Sequence, residues 1–555
     1  MKKILILIAA FAAAASAIVS GAFETRSSKA QVSRDINVFN SVLKELQLNY
    51  VDTIDSKTLV RKAIDYMLGQ IDPYTEYYPE EDSEELTSIS SGQYGGIGAY
   101  IQQRNGSVMI SDPIYGAPAR LAGLRHGDVI LSVDDVDVST TRETDKVSKM
   151  LRGQPGTTVR VKVKRPYVTN DSIITVDILR KTIEVNPMPY YGIDSAGIGY
   201  IRLNTFNERS AGEVREALID MKNSGRLKGL ILDLRDNGGG LLESAVQIAG
   251  LFVPKGTEIV RTRGYDDKNL KIYKTTKQPV DLELPLAVMV NGNTASASEI
   301  VAGSLQDLDR AVIVGSRSYG KGLVQGSRPL PYNGLMKVTI ARYYIPSGRL
   351  IQAIDYSHRN PDGSPARIPD SLTNVWSTKN GRQVRDGGGI TPDIEAIDST
   401  MNRLLYNVIS DQWAFDFANK YRAQHPSIPD ADTWEVDDSL FASFKAFIDP
   451  DKFKYDRMSE TGVDFLRSAA TLEGYMNDSV EALIDQLAGM MRHDLGRDLD
   501  FNREKLTLIL DDEIGRRYYS DGDLIKRSIR NDLELDSARA VLLDKPRYES
   551  VLKPR

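Results

Sequence analysis

The chain has 555 residues, 41% apolar and 26% charged, and its 70 basic and 76 acidic side chains leave a formal net charge of -6. That length accommodates about three or four domains, and the mildly acidic balance excludes a general attraction to nucleic acid or anionic lipid. The absence of cysteine removes disulfides, thiolate nucleophiles and cysteine metal sites. The four histidines (His126, His358, His425 and His493) are scattered and fit neither an HExxH motif nor a Ser-His-Asp pattern, so no metal or cofactor is expected.

Met1-Lys2-Lys3 precedes a largely apolar run, Ile4 to Phe23. Residues 1–23 therefore read as a secretory signal, with Ala15-Ser16-Ala17 a small-residue cleavage site, or as an uncleaved membrane anchor. Either reading predicts a periplasmic or otherwise extracytoplasmic chain. Residues 24–34 read as a polar linker. An N-terminal helical region is predicted over residues 30–87, where Phe39, Val42, Leu43, Leu46, Leu59, Val60, Ile64, Met67 and Leu68 recur at intervals of three and four. Asp72-Pro73-Tyr74 closes the pattern, because a residue before proline is pushed out of the helical region. This block is too small for a core of its own and is expected to pack on another domain or a second subunit. A homo-oligomer is left open.

Residues 88–168 change character. Gly95-Gly96-Ile97-Gly98 leads into strand-like Ala99-Tyr100-Ile101, and Val108-Met109-Ile110 follows. A short helix from Ala117 to Ala122 ends at Gly123, a strand spans Val129–Val133, and a helix spans Asp145–Leu151. Thr158–Lys164 alternates like an edge strand. In this order the elements resemble a PDZ domain, in which a peptide adds a strand to a sheet edge and backbone N–H groups of a glycine loop hold its terminal carboxylate. The resemblance makes Gly95, Gly96, Ile97, Gly98, Val147 and Leu151 the candidate peptide-binding residues. A small β-domain without a ligand is the bland alternative.

Residues 183–397 alternate strands and helices, which predicts an α/β core. Strand Gly229–Leu234 runs into Arg235-Asp236-Asn237 and three glycines, 238–240. Strand Leu286–Val290 runs into the turn Asn291-Gly292-Asn293-Thr294, and a helical pattern begins at Ser296. Ser296 thus falls at a helix N-terminus, where unpaired N–H groups and the helix dipole favour negative charge. A further apolar run, Ala311–Gly315, precedes Lys321 between two glycines, then Gln325. A hydroxyl at a helix N-terminus, a glycine-flanked lysine and a nearby amide are the parts of a serine–lysine hydrolase. The bland alternatives are a capping box for Ser296-Ala297-Ser298-Glu299 and a solvated surface lysine for Lys321. Gly315 to Gly322 nearly spells a phosphate-binding loop, but Gly322 stands where a magnesium-holding Ser or Thr would be, and Pro329 and Pro331 interrupt the helix such a loop needs. Polar Asp355–Gly389 reads as a surface excursion, and residues 398–555 as a C-terminal helical domain that scaffolds or docks.

Several motifs in one order make the chain similar to the C-terminal processing peptidases, or tail-specific proteases. They are Asp72-Pro-Tyr-Thr, the glycine loop, Gly199-Tyr-Ile-Arg with Phe206, and Asp233-Leu-Arg-x-Asn-x-Gly-Gly. Thr294-Ala-Ser-Ala-Ser-Glu299, Tyr319-Gly-Lys-Gly-x-x-Gln325 and Ala341-Arg-Tyr-Tyr-x-Pro-Ser-Gly348 complete the set. The resemblance covers residues 36–395 and implies a helical segment, PDZ domain and serine protease core; with the helical tail after residue 398, which lies outside the family's common core, the chain reads as a multidomain α/β protein with a C-terminal helical domain. It implies Ser296 as nucleophile, Lys321 as base and Gln325 as its positioner, with an oxyanion hole from the N–H groups of Ala297 and Gly240 (Gly239 being the neighbouring alternative). Gly238 departs from the family, standing where proline or serine is common. Implied partners are protein substrates with apolar C-termini, cut near the C-terminus. An adaptor protein is left open.

Lysine can act as a base only when neutral, and its ordinary pKa of about 10.4 opposes that near pH 7. Burial lowers such a pKa by up to about 3–5 units, so a shielded cleft is expected. Two other classes compete: an inactive PDZ scaffold keeping the fold without the chemistry, and a non-protease acyl hydrolase on a related fold.

Overall fold

The computed structural model describes residues 29–82, 91–168, 172–360, 364–397 and 401–553. The signal or anchor expected at residues 1–23 lies outside the described residues, and no helix among them is long and apolar enough to cross a membrane. The chain divides into two units, Met1–Tyr77 and Tyr78–Arg555.

The first unit contains α1 (Lys29–Asn49) and α2 (Ser56–Gly69). Helix α1 starts inside the segment expected to be a linker, because Lys29-Ala-Gln-Val-Ser-Arg carries no glycine or proline and is mostly good helix formers. Asp55 caps α2 by accepting the N–H groups of Lys57 (3.1 Å) and Thr58 (3.3 Å). The Asp72 carboxylate accepts the N–H groups of Tyr74 and Thr75, both at 2.8 Å, which folds the Asp-Pro sequence into a tight turn.

The second unit opens with the PDZ region. Its elements are β1 (Gln93–Gly96), β2 (Ala99–Arg104), β3 (Ser107–Pro113), α3 (Pro118–Leu121), β4 (Val129–Val133) and α4 (Thr144–Leu151), then β5 (Thr158–Lys164), β6 (Ile173–Leu179) and β7 (Lys181–Glu184). The antiparallel sheet runs β2-β3-β4-β5-β6, while β1 pairs with β7. Thr158–Lys164 is therefore an inner strand, and β6, beyond residue 168, supplies the edge. Alternation reports that one face of a strand is buried; it does not report whether the strand has one neighbour or two.

The α/β region contains β8 (Tyr190–Ile193), β9 (Ile198–Arg202), α5 (Ser210–Asn223), β10 (Gly229–Asp233), α6 (Leu242–Ala249), β11 (Glu258–Arg263) and β12 (Lys271–Lys274). It continues with β13 (Leu286–Val290), α7 (Ala297–Asp307), β14 (Val312–Gly315), β15 (Leu323–Pro329), β16 (Leu335–Tyr344) and β17 (Ile394–Glu395). One sheet has the order β8-β9-β10-β13-β14-β17, parallel except for β8. A second, antiparallel set joins β15 to β16, β16 to β11 and β11 to β12.

Both faces of the parallel sheet are buried, which explains its unbroken apolar strands. In β13, Leu286, Val288 and Val290 face a core that includes Ile300 and Leu305 of α7. Ala287 and Met289 point the other way, onto Leu535, Ala538 and Val541. These belong to α16 (Leu533–Leu543), which with α17 (Lys545–Val551) ends the C-terminal helices. The preceding helices are α8 (Arg403–Ser410), α9 (Trp413–Gln424), α10 (Asp438–Phe447), α11 (Met458–Leu472), α12 (Asp478–Met491), α13 (Leu495–Phe501), α14 (Arg503–Gly515) and α15 (Asp521–Ser528). Helices α8, α9, α10 and α14 share a separate core around Phe417, Phe444, Leu506 and Leu510. Burying each Leu or Val of α16 contributes roughly 1.5–3 kcal/mol, so α16 is a structural part of the parallel sheet.

The segment expected to be a surface excursion folds into two short hairpins, Ile354–Arg359 with Pro365–Arg367 and Val375–Ser377 with Gln383–Arg385. Part of it is interior: buried Arg382 pairs with Asp309 and Asp393, each at 2.6 Å.

Candidate active site

Strands β10, β13 and β14 are adjacent and parallel, with Leu232 opposite Val288 and Val290 opposite Gly315. Their C-terminal turns therefore emerge side by side, the usual place for a site in an open α/β sheet. The turns carry Gly238–Gly240, Ser296 and Lys321, so residues far apart in sequence converge at one sheet end.

The first two turns are stitched together. Thr294 Oγ1 donates to the Leu234 carbonyl (2.8 Å), Ala295 N–H to the Asn237 carbonyl (3.0 Å), and the Asn291 and Asn293 amides to Asp236 (2.8 and 3.0 Å). Gly239 packs directly on the serine turn: a Cβ there would lie 2.8 Å from the Ala295 oxygen and 2.9 Å from Ser296 Cβ. Its N–H donates to Asn237 Oδ1 at 2.9 Å. The N–H groups of Gly240 and Ala297 have no hydrogen-bond partner among the described residues. Gly240, not Gly239, thus has an open amide. A Cβ at Gly238 would meet nothing within 4 Å, so the departure there is sterically neutral.

Ser296 caps α7 with φ 57° and ψ -115°. Ordinary capping serines are extended, as Ser520 is at φ -78° and ψ 160°. A non-glycine residue held in such a strained conformation has a backbone fixed by its surroundings. The capping-box glutamate does accept the Ser296 N–H, through Glu299 Oε2 at 2.8 Å. However, the same oxygen accepts the Lys321 N–H at 2.9 Å. Oε1 accepts the Gly320 N–H (2.7 Å) and the Ser318 hydroxyl (2.5 Å). Glu299 is fully buried, and burial pushes its pKa up to about 7 against these four donors. Sequence reasoning read it as a cap and missed this bridge. Buried Tyr343 adds a second bridge: its hydroxyl donates to the Lys321 carbonyl at 2.5 Å, with the Ser296 carbonyl 3.2 Å away. The phosphate-loop reading fails physically, since the Gly320 and Lys321 N–H groups face Glu299 and those of Ser318 and Tyr319 donate to the Ile390 and Thr294 carbonyls.

Lys321 and Ser296 are both partly buried. The Gln325 amide nitrogen donates to Thr339 Oγ1 across β15 and β16 at 3.3 Å. The backbones of Ser296 and Lys321 are thus positioned by one carboxylate, and the Gln325 side chain by Thr339.

On the PDZ domain, Gly95 and Gly96 lie in β1 rather than in an open loop. A Cβ at Gly95 would sit 2.2 Å from the Gly153 carbonyl oxygen, so close backbone approach is what requires that glycine. The loop itself is Ile97–Gly98, whose N–H groups have no partner among the described residues. Ile97, Val147 and Leu151, expected beside the groove, are all buried in the PDZ core. Ile101 of β2 and Met150 of α4 are the partly accessible apolar neighbours that sequence spacing did not single out.

Asp233, buried below the first turn, is held at a pKa of about 2: burial opposes its charge, but Arg235 and Arg202 outweigh it. Arg235 also reaches Asp532 (2.6 Å) and Glu534 (2.8 Å) at the start of α16.

A PDZ domain joined to an α/β core with a strained serine at a helix N-terminus defines a serine-type peptidase. Residues 197–362 match the model of "Peptidase family S41", 109–165 that of "PDZ domain" and 404–542 that of "Probable PDZ-protease, C-terminal helical domain". The chain is 34% identical over 357 residues to the "Carboxy-terminal-processing protease" of Bartonella bacilliformis, covering 64% of this chain and 81% of that one. It is 34% identical over 387 residues to a "Probable CtpA-like serine protease" of Staphylococcus aureus, covering 69% and 75%. Among solved structures it is similar to the photosystem II D1 C-terminal processing protease, at 28% identity over 65% of this chain and 88% of that one, with a TM-score of 0.37. The chain belongs to the carboxy-terminal-processing proteases of peptidase family S41.

Proposed function

We propose that the chain cuts proteins near apolar C-terminal tails by an acyl-enzyme mechanism in which Ser296 is the nucleophile, Lys321 the base and Gln325 the positioner of Lys321. The observation that carries this reading is the pair of open amides, Gly240 and Ala297, flanking a serine in a strained backbone. Lys321, as the neutral amine, takes the Ser296 proton while Oγ bonds to the scissile carbonyl carbon. The two N–H groups receive the oxyanion, an arrangement in which each donor is worth about 10²–10³ in rate. Collapse breaks the C–N bond, and the lysine ammonium gives its proton to the departing amine. Water, deprotonated by the same lysine, then releases the acyl group as a new C-terminal carboxylate.

The PDZ domain implies peptide binding, and the Ile97 and Gly98 amides suit a terminal carboxylate. Ile101 and Met150 favour apolar side chains in the last positions. Tail binding is the event that aligns the Lys321 amine with the Ser296 hydroxyl. We also place the protein outside the cytoplasm, on the basic and apolar residues 1–23. A matched pair of protein substrates, one ending in apolar and one in charged residues, tests the tail claim. Cleavage of the apolar-tailed protein alone is expected, and undiminished cleavage of the charged one removes the claim.

A further inference from the structure

A basic cavity of about 180 Å³ lies on the seam between the PDZ domain and the C-terminal helices. Arg120, Arg125 and Arg165 line it from the PDZ side, Arg422 and Arg517 from the helices. Arg165 is matched by Asp128 through two contacts, 2.8 and 2.7 Å, and Arg517 by Glu513 at 2.7 Å. The other three are not matched. Among the described residues, Arg120, Arg125 and Arg422 form no ion pair. Arg120 donates to the Arg516 carbonyl (3.2 Å), Arg422 to the His425 carbonyl (3.1 Å), and their guanidinium groups lie over the rings of Tyr115 and Tyr518.

The rest of the wall also offers donors. Asn419 is 7% exposed; its Oδ1 accepts from Arg517 Nε at 3.1 Å, but its Nδ2 has no hydrogen-bond partner. A buried donor left unmet is costly, and native structures rarely keep one without a ligand or water. His126, beside Asp112 at 3.1 Å, is kept neutral by burial, with a pKa lowered to about 4. Burial also lowers the pKa of Arg120 and Arg125, and Arg422 lowers both further. Asp112 and Asp521 near Arg120, and Asp128 near Arg125, offset only part of this. Among the described residues, the five guanidinium groups of the cavity are ion-paired with only two carboxylates, Asp128 and Glu513, and Arg422 also donates to the Pro426 carbonyl.

We propose that this cavity binds a small, multiply charged oxyanion of the phosphate class and thereby fastens the PDZ domain to the C-terminal helices. Guanidinium groups in forked geometry match tetrahedral oxyanions, and such charge-assisted bonds are the strong ones. The same seam is already held by Arg104, whose guanidinium contacts both oxygens of Asp416 at 2.7 Å, and by Gln102 with Gln412. Both PDZ residues lie on β2, the strand next to the proposed tail groove. Occupancy therefore fixes the orientation of the domain that receives the substrate, and stabilises the docked arrangement by mass action.

The test titrates the full chain with inorganic phosphate and reads the thermal unfolding midpoint, with potassium chloride at matched ionic strength as control. A saturable rise with phosphate alone is expected, together with binding of one phosphate per chain by calorimetry. Arg125→Gln and Arg422→Gln should each weaken phosphate about tenfold or more. Competition by sulfate supports the oxyanion class, and tighter binding of a phosphomonoester makes an organic phosphate the occupant. An equal rise with chloride, absence of calorimetric binding at millimolar phosphate, or unchanged affinity in both folded variants would overturn the proposal. Should a variant not fold, the wild-type calorimetry alone decides.

Discussion

Glu299 and Lys321 are joined by a hydrogen bond from the Lys321 N–H to Glu299 Oε2 at 2.9 Å, and that oxygen also holds the Ser296 N–H. One buried carboxylate thus sets the spacing of the proposed nucleophile and base through their backbones. All four of its contacts are donors, so its geometry fits the ionised form. Glutamine at this position would turn an NH₂ group toward two of those donors. Glu299→Gln is expected to lower kcat about 100-fold, the scale of an ångström misplacement, with far-UV circular dichroism unchanged. Wild-type kcat in a folded variant would refute the positioning role.

The pKa of about 7 at Glu299 lies above its unfolded value of 4.5. The sign follows from linkage: its contribution to stability is fully present below pH 4.5 and is lost as pH rises through 7. Asp233 behaves oppositely, since its folded pKa of about 2 lies below 3.8, so its contribution is lost as pH falls from about 4 through 2. Denaturant unfolding from pH 2 to 8 should therefore show wild type losing stability relative to Glu299→Gln above pH 5. Parallel curves would contradict the buried-carboxylate assignment.

Three consecutive glycines make a graded test. Gly238→Ala should leave activity within about twofold, because its Cβ meets nothing within 4 Å. Gly239→Ala, at φ 103°, should depress kcat, since the added carbon presses on Ser296 Cβ and the Ala295 oxygen. Gly240→Ala, at φ 143°, would place a carbon 2.1 Å from the Phe206 oxygen and should damage both stability and rate. An unchanged rate in Gly239→Ala would break the link between this turn and the serine.

Arg235 connects that turn to Asp532 and Glu534. These side chains are partly exposed, so Asp532→Asn with Glu534→Gln should cost about 1–3 kcal/mol, discounted for solvent screening. Deleting residues 533–553 should do far more, by uncovering Ile198, Ile231, Ala287 and Met289. A soluble, cooperatively folding truncated protein would contradict the structural role given to α16.

Much of this was legible in the sequence because parallel strands with both faces buried are continuous apolar runs, and the turns after them carry the chemistry. Leu286–Val290, the break at Asn291 and the helical period from Ser296 locate the turn of the proposed nucleophile within a residue. What lay beyond reach was spatial. The Ser-x-x-Glu spacing marks a cap and cannot reveal that Glu299 also reaches Lys321. The apolar positions of 533–543 predict an amphipathic helix without naming the sheet it covers. Val147 and Leu151 of α4 turned out to be core residues, because periodicity marks apolar positions on a helix without telling which of them the interior takes.

The account's central claim is that Lys321 activates Ser296 when a tail occupies the PDZ domain. The most direct measurement is the rate of labelling by a serine-directed fluorophosphonate, mapped by mass spectrometry, with and without an apolar-tailed peptide. The label is predicted on Ser296 only, faster with the peptide, and lost in both Ser296→Ala and Lys321→Ala. Equal labelling of Ser296 in folded Lys321→Ala, at a rate indifferent to the peptide, would contradict it.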